Sequence, residues 1–406
     1  MTRILTYASQ NAVYVVLIGI LAPIATIASY VYGLNAVFKG QSTSIVASFV
    51  VLGLALLLWI LYKSSYTPSR VFRYFLIFNI VAWAVIALLV WRDGDSFAYT
   101  TFIAPVIYLI ILAKPSTYKW SLTAGDYFAF ALVAIAIVSH ILHVTGIHQY
   151  SSDGAASRLP EFMTLLGFDQ RWGGPFVSTS DAGPVGAFIF FYSLLRTGWI
   201  RRTLAGTGIV ILIISTSWTS IYASIVGIVV LLWFVPKLFG RTLTQSFRVS
   251  ATTVIAVGTV IYVLVLDPTF NGRVGIWADY LEIWAKNPLV GIGTSGLVDM
   301  HGDALITHQH AHNYYVDILT RHGLFGFVVT IPVLIVAGVI AYRAGRNGLV
   351  AAPALFVVFC VALVGETLVD WRSLGYVLME LLLMTLISAS FLHDQQIAHE
   401  GELQNA

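Results

Sequence analysis

Charge is what this chain has least of. Only 10% of its 406 residues are charged, while 58% are hydrophobic and the mean hydropathy is +0.85. That balance excludes a soluble globular domain, because so little polar surface cannot cover a folded chain; much of its apolar surface must face lipid. The formal net charge of +3 is small and distributed along the sequence, with no basic patch for nucleic acid. Cysteine is nearly absent. Cys360 stands alone in an apolar run, so an intrachain disulfide and a cysteine-based metal site are both excluded. No convincing internal repeat is visible, which counts against transporters built from inverted repeats. A cleaved signal peptide is not expected, since the first apolar run is of full spanning length and lacks a small-residue cleavage site.

Long apolar runs are present in number. They lie near 13–33, 43–62, 71–91, 97–113, 126–146, 184–199, 203–219, 220–236, 250–267, 323–342, 349–369 and 374–392. Each is about the length that crosses a hydrocarbon layer of roughly 30 Å. The sequence therefore predicts an all-α polytopic membrane protein of about twelve spans, a single integral membrane domain over 1–406. The stretch 203–236 must cross twice, with the turn between Ser215 and Ser220. With a cytoplasmic N-terminus, fourteen of the 22 Lys and Arg fall on the inner side. Arg196, Arg201 and Arg202 share that side with Lys237, Arg241 and Arg248 only if 203–236 forms a hairpin. Both termini are then cytoplasmic, and the polar tail 393–406 is expected to be disordered.

Two long loops, 147–183 and 268–322, lie on the outer side and hold six of the ten histidines. An ion-coupled transporter would more often keep ionisable residues within its spans. Candidates for that are Glu366, Glu380, Asp126 and Asp370, and helix-end positions or helix–helix hydrogen bonds account for most of them. Glu366, Asp370 and Arg372 either join an outer-face site or pair with one another.

In the second loop, Asn271-Gly272-Arg273 precedes Ile276, Trp277, Tyr280, Leu281 and Trp284 at helical spacing. An amphipathic helix in the interface plane is expected, ended by Asn287-Pro288. Gly291, Gly293 and Gly296 spell G-x-G-x-x-G, but no strand precedes them, so a tight bend is preferred to a dinucleotide fingerprint. His308, His310 and His312 alternate and would share one face of an extended segment. No cysteine ligand and no helical H-E-x-x-H accompanies them, so a metal site is not expected.

His312 is the best placed of the three. Asn313 is a good N-cap and the residues after it have helical character up to Gly323, so His312 should sit just before a helix N-terminus. A neutral imidazole there could take a proton from a hydroxyl, an effect typically worth about 10²–10⁴ in rate. The alternative is that His312 only anchors the loop by hydrogen bonding. Arg171, Arg273 and Arg321 are the outer-loop guanidiniums able to clamp phosphate oxygens without a metal. For Arg171, beside Trp172-Gly173-Gly174-Pro175, and for Arg273, the competing role is anchoring to lipid headgroups.

His312-Asn313, nine residues, then Gly323-Leu324-Phe325-Gly326 resembles the H-N-x9-G-x-x-G pattern of bacterial O-antigen ligases and the related O-antigen and exopolysaccharide polymerases. Gly272-Arg273-x3-Trp277 and Asn287-Pro288-Leu289-Val290-Gly291-Ile292-Gly293 are similar to that family's segment before the histidine motif. The resemblance covers roughly 165–345 well and the N-terminal spans by topology alone. It implies a membrane-embedded glycosyltransferase of the GT-C type, metal-independent and without cofactor, in the bacterial inner membrane with its site facing the periplasm. The donor would be a glycan on undecaprenyl diphosphate and the acceptor a sugar hydroxyl of lipid A-core or of another glycan, with membrane lipids around the spans. His312 would activate the acceptor, and Arg171 and Arg273 would hold the diphosphate. Asn313 would orient the His-bearing turn, with Arg321 in support, and Gly323 and Gly326 would let the next helix pack closely.

The pattern departs from the family at two places. Ser215-Thr216-Ser217-Trp218-Thr219-Ser220 has Trp218 where a basic residue is common, so Trp218 would stack on a sugar or anchor at the interface. Ser178-Thr179-Ser180-Asp181 replaces a common Pro-Asn. Ligase and polymerase share these motifs. The ligase reading is slightly favoured by the histidine spacing, while HAHN-x-Y-x-D at 310–317 is also similar to exopolysaccharide polymerases. A polysaccharide or lipid transporter is the competing class.

Overall fold

The computed structural model describes residues 179–215, 217–234, 237–238, 241–261, 272–303, 305–306, 311–346 and 349–365, with single positions between 74 and 92 and between 126 and 145. These are helical almost throughout. In chain order they form α1 (Thr179–Ser193), α2 (Gly198–Ser215), α3 (Trp218–Phe234), a two-residue antiparallel pair β1 (Lys237–Leu238) and β2 (Arg241–Thr242), α4 (Gln245–Ile261), α5 (Arg273–Lys286), α6 (Gly293–Gly302), α7 (Tyr314–Arg346) and α8 (Ala351–Gly365). Among the described residues, α2 and α7 are long and apolar enough to cross a membrane, and α1, α3 and α8 are shorter apolar helices. The predicted spans 13–33, 43–62, 97–113 and 374–392, the stretch 147–178 and the tail 393–406 lie outside the described residues, and the spans 71–91 and 126–146 are described only at single positions, nearly all helical.

The chain divides into two compact units. One comprises 1–69, 103–221 and 370–406, the other 70–102 and 222–369, so the boundary falls within α3.

In the first unit α1 is buried nearly all round, with Val185, Phe188, Ile189, Phe191 and Tyr192 all inside. Its contact with α2 is made through glycine. A side chain at Gly208 would overlap the backbone of Phe190 and Gly186, and one at Gly186 would overlap Leu212 and Gly208. Small residues at a crossing let helix backbones approach, which is how spans gain packing energy when lipid removes the hydrophobic drive between them. The outer face of α2 keeps Ile209, Val210 and Ile213 exposed opposite buried Leu204, Ile211 and Leu212, an apolar helix on both sides as lipid contact demands. Asp126 accepts hydrogen bonds from Arg196 Nη2 at 2.7 Å and from Tyr192 Oη at 2.9 Å. Its charge is thus neutralised by a fixed partner.

Two boundaries differ from the sequence expectation. The helix expected at 184–199 begins at Thr179 and ends at Ser193, because Leu194, Leu195 and Arg196 turn back onto the carbonyls of Phe191, Tyr192 and Ser193 and Gly198 adopts φ +65°. Within 203–236, α2 ends at Ser215 and α3 begins at Trp218. Ser217 and Ser220 are hydrogen-bonded to each other at 3.0 Å, which ties Ser217 to the first turn of α3.

In the second unit the Thr244 hydroxyl caps α4 by accepting from Phe247 N at 3.2 Å, and Trp233 Nε1 joins α3 to α4 by donating to Thr252 Oγ1 at 2.9 Å. The small β1–β2 pair between them is a local exception to the all-α expectation. α7 and α8 form a close antiparallel pair, with Gly345 against Pro353 and Phe234, and Gly338 against Phe356. Tyr315 Oη donates to the Cys360 carbonyl at 3.2 Å, fixing the start of α7 against α8.

Candidate active site

The segment from Arg273 to the start of α7 folds as a helical subdomain with its own apolar core. Tyr280 and Ile283 of α5, Leu297 of α6, Ile306 and Ala311 form it, with Ile276, Ile292, Met300 and Val316 packed against them. α5 was expected from its apolar spacing, and Asn287 ends it as expected, its N–H bonding to Trp284 O. Its apolar stripe is shared between core and surface. Ile276, Tyr280 and Ile283 pack on α6 and the chain before α7, leaving Val274 and Leu281 exposed. The glycine bend differs from expectation, since it ends at Gly293 and Gly296 lies within α6.

Ala311 belongs to this core, and His312 follows it at φ +49°, the only non-glycine residue with positive φ among those described. The left-handed conformation is costly for a residue with a Cβ and persists only where the flanking chain is fixed. Both flanks are fixed. On one side, Asn313 Oδ1 accepts from the N–H groups of Tyr315 at 3.0 Å and Val316 at 3.2 Å, the N-cap that its place before the helix predicts. On the other, Ala311 N donates to Asp317 Oδ1 at 3.2 Å. His312 is half-buried with its Nδ1 turned fully inside.

α7 is broken at Gly323, which has φ 63° and ψ −164°. A break frees backbone groups that must find partners elsewhere, and near a membrane water cannot be relied on. Here the chain between α5 and α6 supplies them: Leu324 N donates to Pro288 O at 2.8 Å, Phe325 N to Leu289 O at 3.1 Å, and Ile292 N to Thr320 O at 3.0 Å. The crossing is so close that a side chain on Gly323 would overlap the Leu289 carbonyl, and one on Gly291 the carbonyls of Thr320 and Arg321. The Asn287–Gly293 stretch and the His312–Gly326 stretch, read separately in the sequence, are thereby one joint. Gly323 serves the passage of this loop across the break, whereas the expectation had it admit a neighbouring helix. A side chain on Gly326 would meet Cβ of His322 in its own helix.

Arg321 is buried and its Nε donates to Asp317 Oδ2 at 2.6 Å, and Thr320 Oγ1 lies 3.1 Å from Tyr280 O. Arg273 is the first residue of α5 and half-buried. Trp218 opens α3 with 47% exposure. Arg171, His308, His310, Glu366, Asp370 and Arg372 lie outside the described residues. No group of three potential metal ligands occurs among the described residues.

Arg92 and Thr320 were not singled out in the sequence for any role, and Asp317 entered only as the aspartate of the 310–317 pattern. Asp317 stands four residues before Arg321, a helical ion-pair spacing that was there to be read. Arg92 Nη2 lies 3.4 Å from the Val290 carbonyl, on the joint itself; a solitary arginine ending an apolar run gave no hint of so distant a partner. Thr320 carried no signal at all.

The break in α7 is joined by backbone to the chain between α5 and α6, and a histidine is held at the start of α7, in a helical chain with two helices long and apolar enough to cross a membrane among its described residues. Residues 185–331 match the family model described as O-antigen ligase. The resemblance read from the sequence motifs is to this same family. No curated protein matches the sequence.

Proposed function

We propose that the protein is an O-antigen ligase-like glycosyltransferase of GT-C architecture in the bacterial inner membrane, with both termini cytoplasmic and the site facing the periplasm. It takes a glycan from undecaprenyl diphosphate and passes it to a sugar hydroxyl of a lipid A-core type acceptor. The observation that carries this reading is the left-handed turn at His312, fixed on both sides and immediately preceding the helix that breaks at Gly323. His312 removes the proton from the acceptor hydroxyl, and with Nδ1 buried that proton goes to Nε2. The acceptor oxygen then bonds to the anomeric carbon of the donor as the carbon–oxygen bond to the diphosphate breaks. The electron pair leaves on undecaprenyl diphosphate.

Arg273 and Arg171 balance the charge that builds on this leaving group, a task guanidinium performs without a metal. Arg273 is helped by its place at the N-terminus of α5, where backbone amides favour an anion. Trp218, exposed at the start of α3 where the family often has a basic residue, is suited to stack on a sugar or to sit at the interface. The exopolysaccharide polymerase reading rests on Asp317, the aspartate of the 310–317 pattern, which is part of the site.

The reading is tested with purified wild type and His312→Ala given undecaprenyl-diphosphate-linked glycan, with and without lipid A-core, and products resolved by mass. Glycan joined to lipid A-core by wild type alone is the expected result. Extension of the lipid-linked glycan without that acceptor makes the protein a polymerase. Absence of covalent product with either acceptor favours a transporter, and a fully active His312→Ala removes the base from the scheme.

A further inference from the structure

We infer that Asp317 and Arg321 are a positioning couple for His312, and that Arg321 is held away from the diphosphate by this role. The inference rests on His312 being the base.

The Asp317 carboxylate has two duties in opposite directions. Oδ1 accepts from Ala311 N, the residue before His312, and Oδ2 accepts from Arg321 Nε at 2.6 Å. Both side chains are only 8% exposed. Asp317 N in turn donates to Asn313 O at 2.9 Å, on the other side of the histidine. One residue thus grips the chain on both sides of His312. Arg321 carries the grip onward, since its backbone carbonyl lies against Gly291 and its neighbour Thr320 accepts from Ile292 N. The His312 turn is tied through Asp317 and Arg321 to the joint that crosses the α7 break.

Stability does not account for an ion pair here. Removing two charges from water costs about as much as their attraction returns, and apolar replacements of similar volume often leave a fold as stable or more so. What an apolar pair cannot do is accept from Ala311 N while aligning the next helical turn. A left-handed histidine needs that alignment, because release of Ala311 would let φ at His312 relax and carry the ring away from the reacting oxygen.

The same reasoning supplies a test that separates positioning from folding. Asp317→Leu with Arg321→Met keeps the volume and removes both charges. Melting temperature in detergent is expected to stay level or rise, while kcat falls about tenfold to hundredfold and KM for donor and acceptor stays within about threefold. Hydrogen exchange at Ala311 is expected to speed up, a readout independent of turnover. Asp317→Asn, which keeps an acceptor for Ala311, should retain more activity than the double variant. On a His312→Ala background the double substitution should have no further effect on the residual rate. A raised donor KM with kcat unchanged would put Arg321 on the diphosphate and overturn the inference. Unchanged kcat, unchanged exchange at Ala311, or an equal loss on the His312→Ala background would overturn it as well. Full activity of His312→Ala itself is a separate outcome, which removes the catalytic reading of the histidine whatever the couple does.

Discussion

On the proposed function, Gly323→Ala should abolish glycan transfer while leaving the protein recoverable from membranes. At φ 63° and ψ −164° the residue occupies a region essentially reserved for glycine, where a Cβ costs on the order of 1–3 kcal/mol. The added carbon would also overlap the Leu289 carbonyl, so the loop must retreat, stretching the bonds from Leu324, Phe325 and Ile292. At about 1 kcal/mol each, three weakened hydrogen bonds add roughly 2–4 kcal/mol, and the joint as a whole loses about 3–7 kcal/mol. Since about 1.4 kcal/mol is a factor of ten, a site populated through this joint should lose at least about a hundredfold in rate. The assay is transfer of lipid-linked glycan by protein purified from membranes, alongside hydrogen exchange at amides 292, 324 and 325. Gly206→Ala is the control, because a side chain there meets nothing. Normal activity with protected amides in Gly323→Ala would refute the reasoning.

Further outcomes follow from other contacts. Asn313→Ala should cost about 1 kcal/mol of local stability through loss of the cap and lower kcat, with Asn313→Asp retaining most of both; rates and melting curves check this. Gly208→Leu should drive α1 from α2, because its side chain would meet the Phe190 backbone, and should show as loss of folded protein in detergent. Asp126→Asn should lower the melting temperature more than Arg196→Gln with Asp126→Asn together, since the single change strands a partly buried guanidinium. Arg273→Ala should raise the donor KM at least about tenfold, with Arg273→Lys intermediate, as expected of a charge-assisted contact to a diphosphate; a purely lipid-anchoring Arg273 would leave KM unchanged.

The helices were legible where one physical rule dominated. Apolar length located α2, α3, α4, α7 and α8, and charge on both flanks argued for the hairpin at 203–236. Asn313 was legible as a cap because capping is local chemistry. Their limits were misread where a few backbone bonds decide, as at Leu194–Arg196 and at Gly293. The apolar face of α5 was visible, but hydrophobic spacing does not say whether lipid or protein covers it. Long-range backbone pairing leaves no side-chain signature at all. The meeting of Pro288 and Leu289 with Leu324 and Phe325 was therefore hidden, although the glycines that permit it were in plain view.

A joint built from main-chain bonds is indifferent to the side chains it carries. Around the break in α7, Leu289, Leu324 and Phe325 hold the connection through N–H and C=O groups while their side chains remain exposed at 56%, 43% and 52%. The framework that sets the histidine and the surface that lipid or glycan would meet are therefore written in separate parts of the same residues. Such a surface can be recut for a different partner while the machinery beneath it keeps its alignment.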